Sequence, residues 1–192
     1  MSQKKIGILI VIFLILGAYV YFYEIGKGDK KDRFPEKVKV LDINPEDVQE
    51  IIIKKEDQSV ALRMVEGQWR IKSPVDASVE NERISDLLSF FDYGIVRVID
   101  SNPSDLKQYG LDQPRYEFWI KTKGDELFKT LLIGSDAPGN ISCYGKVKGK
   151  PKVVLLGIRY RQEIKRALTD FLREAETKEL KDSPLLINRE SQ

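Results

Sequence analysis

Residues 48–72 read VQEIIIKKEDQSVALRMVEGQWRIK, and the alternation inside this stretch decides the architecture. Ile51 and Ile53 share one face of a strand over Val48–Lys54. Val60, Leu62 and Met64 keep the same period over Ser59–Val65, as do Trp69 and Ile71 over Gln68–Lys72. A period of two with branched and aromatic residues marks half-buried strands. Glu56-Asp57-Gln58 and Glu66-Gly67 supply the turns, so the three segments read as an antiparallel meander that Pro74 ends.

Downstream the period changes. Ile84, Leu87, Leu88 and Phe91 stand at i, i+3, i+4 and i+7, the apolar stripe of a helix. Asp76 or Ser78 is the expected N-cap, and Gly94 suits the left-handed residue past the end. Ile95–Ile99 follows as a short strand. Asn102-Pro103 is expected to open a helical turn reaching Tyr109, with Gly110 as its stop, Leu111 folding back and Asp112-Gln113-Pro114 releasing the chain.

The order then repeats. Tyr116, Phe118 and Ile120 alternate, Lys123-Gly124-Asp125 turns, and Phe128–Ile133 returns. Ile141–Val147 and Lys152–Leu156 form a hairpin across Lys148-Gly149-Lys150. The stripe Ile164, Ala167, Leu168 and Phe171 lies eighty residues after the first, with identical spacing. The predicted fold is therefore α+β, antiparallel strands and helices in two related β-β-β-α halves over residues 40–174. Residues 175–192 read as a polar tail that frays.

Upstream lies a different chemistry. Ile6 to Tyr23 carries no charge in eighteen residues. At 1.5 Å per residue it reaches roughly 27 Å, close to the hydrocarbon thickness of a bilayer. Tyr19, Tyr21, Phe22 and Tyr23 cluster at its end, where aromatic rings favour the headgroup region. Leu16-Gly17-Ala18 puts leucine where a cleavage site needs a small residue, which favours an uncleaved signal-anchor. With no cysteine near residue 20, a lipoprotein anchor is excluded. Lys4 and Lys5 precede the apolar run, while Lys27, Lys30, Lys31 and Arg33 follow it. The charge count alone favours the reverse topology, but the very short leading tail (residues 1–5) favours an N-terminus inside the cell. Residues 24–39 read as a solvated tether.

Composition sets the limits on chemistry. The chain of 192 residues has 32 Lys or Arg, 30 Asp or Glu, one cysteine and no histidine. Without imidazole there is no Ser-His-Asp or Cys-His triad and no histidine-ligated metal. One cysteine makes neither an internal disulfide nor a cysteine-rich metal centre. A net charge of +2 provides no overall field for nucleic acid, so no nucleic-acid partner is expected.

Gly67-Gln68-Trp69, Pro74, the run Asp105-Leu106-Lys107-Gln108-Tyr109-Gly110-Leu111-Asp112-Gln113-Pro114, Leu132-Ile133-Gly134 and Tyr144 together resemble the bacterial DUF4340 family, over roughly residues 40 to 172. The Tyr-Gly-Leu-Asp-x-Pro element is the most specific of these. The resemblance implies an envelope protein and an accessory role beside ABC-type transporter components of the gliding-motility kind. It brings no catalytic residues with it. The expected location is the bacterial cytoplasmic membrane, crossed once through Ile6 to Tyr23, with the C-terminal domain outside the cytoplasm.

No residue stands out as catalytic, cofactor-binding or metal-ligating, and no cofactor is expected. Asp105 and Asp112 read as turn and helix-end carboxylates. Cys143 reads as a small packing residue, with no base to activate it. A candidate partner or ligand surface remains in Trp69, Tyr144, Lys146, Lys148, Lys150 and Lys152. Trp69 is either a stacking platform for a glycan or a core residue under the first helix. The four lysines at period two are either a solvated hairpin face or a basic stripe for an anionic lipid or glycan. The expected function is a non-enzymatic envelope interaction module, with a glycan- or lipid-binding domain as the alternative.

Overall fold

A computed structural model describes residues 13, 15–19, 21 and 39–182. The chain divides into two units, Met1–Glu36 and Lys37–Gln192. In the first, the described residues are helical, and Phe13, Ile15, Leu16, Tyr19 and Tyr21 are largely exposed. Among the described residues no helix is long and apolar enough to cross a membrane. The expected span from Ile6 to Tyr23 lies largely outside them, as do most of the tether and residues 183–192.

The second unit is built on one antiparallel sheet of nine strands. In chain order these are β1 (Val48–Lys55), β2 (Gln58–Val65), β3 (Gln68–Ser73), β4 (Ala77–Val79), β5 (Ile95–Asp100), β6 (Tyr116–Thr122), β7 (Lys129–Asp136), β8 (Ser142–Val147) and β9 (Val153–Gly157). They lie side by side as β4-β3-β2-β1-β6-β7-β8-β9-β5. Helix α1 (Asn81–Ser89) follows β4, and α2 (Ile158–Asp182) follows β9. The strand-then-helix order read from the sequence occurs twice, with different strand counts from those expected. Four strands, β1–β4, precede α1 rather than three, because Ala77–Val79 pairs with β3, and five, β5–β9, precede α2. The halves meet where β1 pairs antiparallel with β6, Ile51 opposite Ile120 and Ile53 opposite Phe118.

The alternating residues read above form the buried face. Ile51, Ile53, Val60, Leu62, Ile71, Phe118, Ile120, Leu131 and Ile133 are all fully buried there. Both helices lay their apolar stripes on this face, burying Ile84, Leu87 and Leu88 from α1 and Ile164, Ala167, Leu168 and Phe171 from α2. Between them sits an aromatic cluster. The Phe90 ring lies 4.1 Å from that of Phe91, 5.0 Å from Tyr160 and 5.9 Å from Phe118. The latter two contacts are edge-on, the geometry that ring quadrupoles favour. Tyr160 donates its hydroxyl proton to the Phe91 carbonyl at 3.3 Å, so its polar tip is satisfied inside the core.

Three local expectations need correction. Neither Asp76 nor Ser78 caps α1, whose N-cap position is Glu80 with no side-chain bond. Asp76 instead pairs with Lys72 at 2.7 Å and Arg70 at 2.6 Å, and these cations hold its carboxyl below the usual carboxylate range. Asn81 tethers the start of α1, accepting from the Trp69 amide at 3.0 Å and donating to the Gly67 carbonyl at 2.9 Å. The helical turn after Asn102-Pro103 shrinks to a 3-10 turn at Lys107–Tyr109. Asp105 serves there, accepting from the Lys107 amide at 2.9 Å. Finally, α2 runs to Asp182, eight residues past the expected fraying point at Glu174.

The reason for the longer helix is visible in the repeat. Gly94, at φ 69°, breaks the first half and sends the chain into β5. Eighty residues later the same place holds Glu174, a helix former that pairs with Arg83 of α1. Ala175 is buried next to it, and Lys178 pairs with Asp182 one turn on.

Candidate functional site

Among the described residues no helix lies on the opposite face of the sheet. Residues alternating with the core point to it, among them Ile52, Glu117, Trp119, Leu132, Tyr144 and Lys146, all half-buried. Part of this outer face is closed by the segment connecting β5 to β6, and the closing contact is unusually tight. A Cβ built on Gly134 would lie 2.1 Å from the Tyr109 carbonyl oxygen and 3.0 Å from the Gly110 carbonyl carbon. Gly110 itself has φ +63°, and a Cβ there would meet the Ser135 backbone nitrogen at 2.9 Å. Two glycines therefore let two backbones touch. The ladder between β7 and β8 shifts register at this point, between Ile133 and Asp136.

Aromatic and polar contacts fasten the same segment. The Tyr109 and Tyr144 rings meet at 5.1 Å and 62°, and Tyr109 donates to Asp100 Oδ2 at 3.2 Å. Desolvation, followed by the Asp100 carboxylate, pushes the Tyr109 phenol above its ordinary range. Leu111 is buried under the loop. Tyr109, Gly110, Leu111, Gly134 and Tyr144, scattered over thirty-five residues, thus assemble into one lock between loop and sheet.

Beyond the lock no other described element covers the outer face, and a cation–aromatic patch occupies it. Trp119, opposite Ile52 and Thr130 in the ladder, has Lys54 Nζ 4.8 Å and Lys148 Nζ 4.9 Å from its ring centroid. Phe128 meets the indole edge-on at 5.9 Å, and Lys121 Nζ lies 5.8 Å from the Phe128 ring. Trp119 donates its indole proton to Glu117 Oε2 at 2.9 Å, which restrains the ring. Ammonium groups over aromatic faces are attracted by the ring quadrupole.

The residues singled out from the sequence separate in space. Trp69 is 4% exposed and packs in the core beneath α1, so no stacking platform exists there. Tyr144 belongs to the loop lock. Lys146 turns inward along its own hairpin, donating to the carbonyls of Lys150 and of Pro151, the latter at 2.9 Å. Lys148 joins the Trp119 patch. Lys150 and Lys152 are exposed at the tip, beside a cleft on the other face of the sheet. Trp119 was missed, although the signal was present: if Tyr116, Phe118 and Ile120 face the core, the Trp119 between them must face out.

Near the lock, Asp136 sits between Arg115 and Arg161, each at 3.2 Å. Cys143 lies fully buried close by. Burial first, and the Asp136 charge second, push its thiol up to about 11. At pH 8 that leaves about one thiolate in a thousand, against roughly a quarter for a free cysteine. Alkylation of the native chain by iodoacetamide at pH 8 is expected to run at least about 200-fold slower than in denaturant, since the sulfur is shielded as well as protonated; equal native and denatured rates would contradict a buried strand position. Among the described residues no group of three or more acidic or cysteine side chains is placed to hold a metal.

These features define a two-layer α+β domain, one sheet with helices on one face and a glycine-locked loop and aromatic patch on the other. Residues 69–182, more than half of the chain, match the family described as a domain of unknown function, DUF4340, and the chain belongs to that family. No curated protein and no solved structure matches it.

Proposed function

We propose that the chain is a membrane-anchored, non-enzymatic interaction module of the bacterial envelope, held by Ile6 to Tyr23 in the cytoplasmic membrane with its sheet domain outside the cytoplasm. The observation that carries this reading is the patch on the outer face, where Trp119 lies flanked by Lys54 and Lys148 beside Phe128. A rigid aromatic ringed by cations is the composition of an interface anchor, and it suits an acidic protein surface. The exposed apolar side chains of Phe13, Ile15, Leu16, Tyr19 and Tyr21 suit a nonpolar surrounding. A membrane subunit of an ABC-type transporter is the partner that the family resemblance suggests.

Cross-linking in intact membranes tests the reading. Full-length chain should capture an envelope protein, and Trp119→Ala should weaken that capture about thirty-fold, the effect of losing an anchor worth about 2 kcal/mol. Because Trp119 points away from the core, the melting midpoint should stay within a few degrees of the parent. Undiminished capture by Trp119→Ala would overturn the assignment of this face.

A further inference from the structure

One recess differs in chemistry from the rest of the surface. At the end of β8 and the start of β9 the apolar core reaches the rim of the helix-bearing face. Val147 pairs with Leu131, Val154 with Gly145, and Val98 of the edge strand with Val154. Helix α2 begins only at Ile158, about 13 Å along the strand from Val154. This corner is therefore left open. Val40, Ile95, Val98, Val147 and Val154 line a cleft of about 330 Å³ there. Val40, Ile95 and Val147 also pack against the main core, so the cleft floor is a continuation of it.

The charged side chains of the turn beside it are both cationic. Lys150 and Lys152 border the cleft, and among the described residues that line it none is a carboxylate. By contrast, the recess beside α1 and α2 mixes Arg83 and Lys178 with Asp170 and Glu174. The rim is also held in shape, because Lys146 Nζ bonds the carbonyls of Lys150 and Pro151 and so fixes the turn that presents Lys150 and Lys152.

We propose that this cleft binds a free fatty acid, its hydrocarbon chain against the valines and its carboxylate at Lys150 and Lys152. A sugar or nucleotide would bury hydroxyls and amides against walls with no partners for them, which is costly. A cationic or neutral head would forgo the lysine rim. The volume, at the low end of the roughly 300–1,000 Å³ of small-molecule pockets, suits one acyl chain and not two. The cleft lies on the helix-bearing face, away from Trp119, so the inference stands independently of partner docking.

Photo-labelling of the full chain in phosphatidylcholine nanodiscs provides the test, with palmitic acid carrying a diazirine near its methyl end as the probe. Label is expected on peptides containing Ile95–Val98 and Val147–Val154. Unlabelled palmitate should compete, and methyl palmitate at least tenfold less well. A Lys150→Ala, Lys152→Ala double variant should need about tenfold more probe for half-labelling. Across saturated acids from eight to sixteen carbons, competition should tighten about fourfold per methylene until the cleft is full, then level off. Label confined to residues 6–23, or tightening with no plateau, would mean bilayer partitioning and overturn the proposal. Equal competition by the methyl ester, or an unaffected double variant, would overturn the carboxylate assignment.

Discussion

Gly134→Ala is expected to destabilise the domain by about 3 kcal/mol, lowering the melting midpoint by roughly 6–12 °C. The added methyl would lie 2.1 Å from the Tyr109 carbonyl oxygen, far inside van der Waals contact, and the obstructing atoms belong to backbone. A flexible side chain could swing aside. The 109–110 segment cannot, because Gly110 is fixed at φ +63° against Ser135, and Tyr109 is tied to both Tyr144 and Asp100. Relief requires lifting the loop, which would expose Leu111 and the outer faces of β7 and β8. Gly157→Ala is the matching control, since nothing lies within 4 Å of a Cβ there. Thermal unfolding of both variants by circular dichroism checks the contrast, and similar midpoints for the two would show that the lock does not bear on stability.

The second large effect is expected from Phe118→Ala, at about 3–5 kcal/mol. Phe118 is completely buried at the seam between the halves, flanked in the ladder by Ile53 and Leu131. Its ring lies 5.2 Å from Phe91 and 5.9 Å from Phe90. Truncation opens a void bounded by the sheet on one side and by Phe90, Phe91 and α2 on the other, and neither layer can close it without the other moving. In urea the transition midpoint should fall with the slope unchanged, the signature of lost stability in an unaltered native surface. Phe118→Leu, which refills most of the space, should recover more than half of the loss. If it recovered none, the ring contacts and not the packed volume would be responsible.

Much of this fold was legible in the chain because its strands are amphipathic. Ile51 with Ile53, Val60 with Leu62, and Phe118 with Ile120 announce both strand and buried face, since alternation has no other common origin. The eighty-residue echo of the two helical stripes likewise predicted a repeated order. Short elements held by partners were not legible. Ala77–Val79 is a strand only because β3 offers it an open edge, and three residues carry no period of their own. The extension of α2 beyond Glu174 depends on Arg83, ninety-one positions away in sequence.

The candidate site divides in the same way. The signature residues Tyr109, Gly110, Gly134 and Tyr144 were conspicuous as a set, but their common purpose, a backbone-to-backbone lock, appears only when two distant segments touch. Trp69 and Trp119 both sit in alternating strands. Strand periodicity places them on definite faces, yet which face the helices cover is a matter of packing.

The sequence by itself determined what this protein lacks and what repeats in it: no imidazole, a single cysteine, balanced charge, an apolar run of eighteen residues and two strand-then-helix patterns. Those are properties of composition and local period, which do not require a partner. Only the tertiary structure decided that β1 and β6 join the halves, that a loop closes over Gly134, that Trp119 keeps company with Lys54 and Lys148, and that five apolar residues open at a lysine rim. Each of these brings together residues far apart in the chain, and such contacts are set by how one layer covers another, which no local pattern encodes.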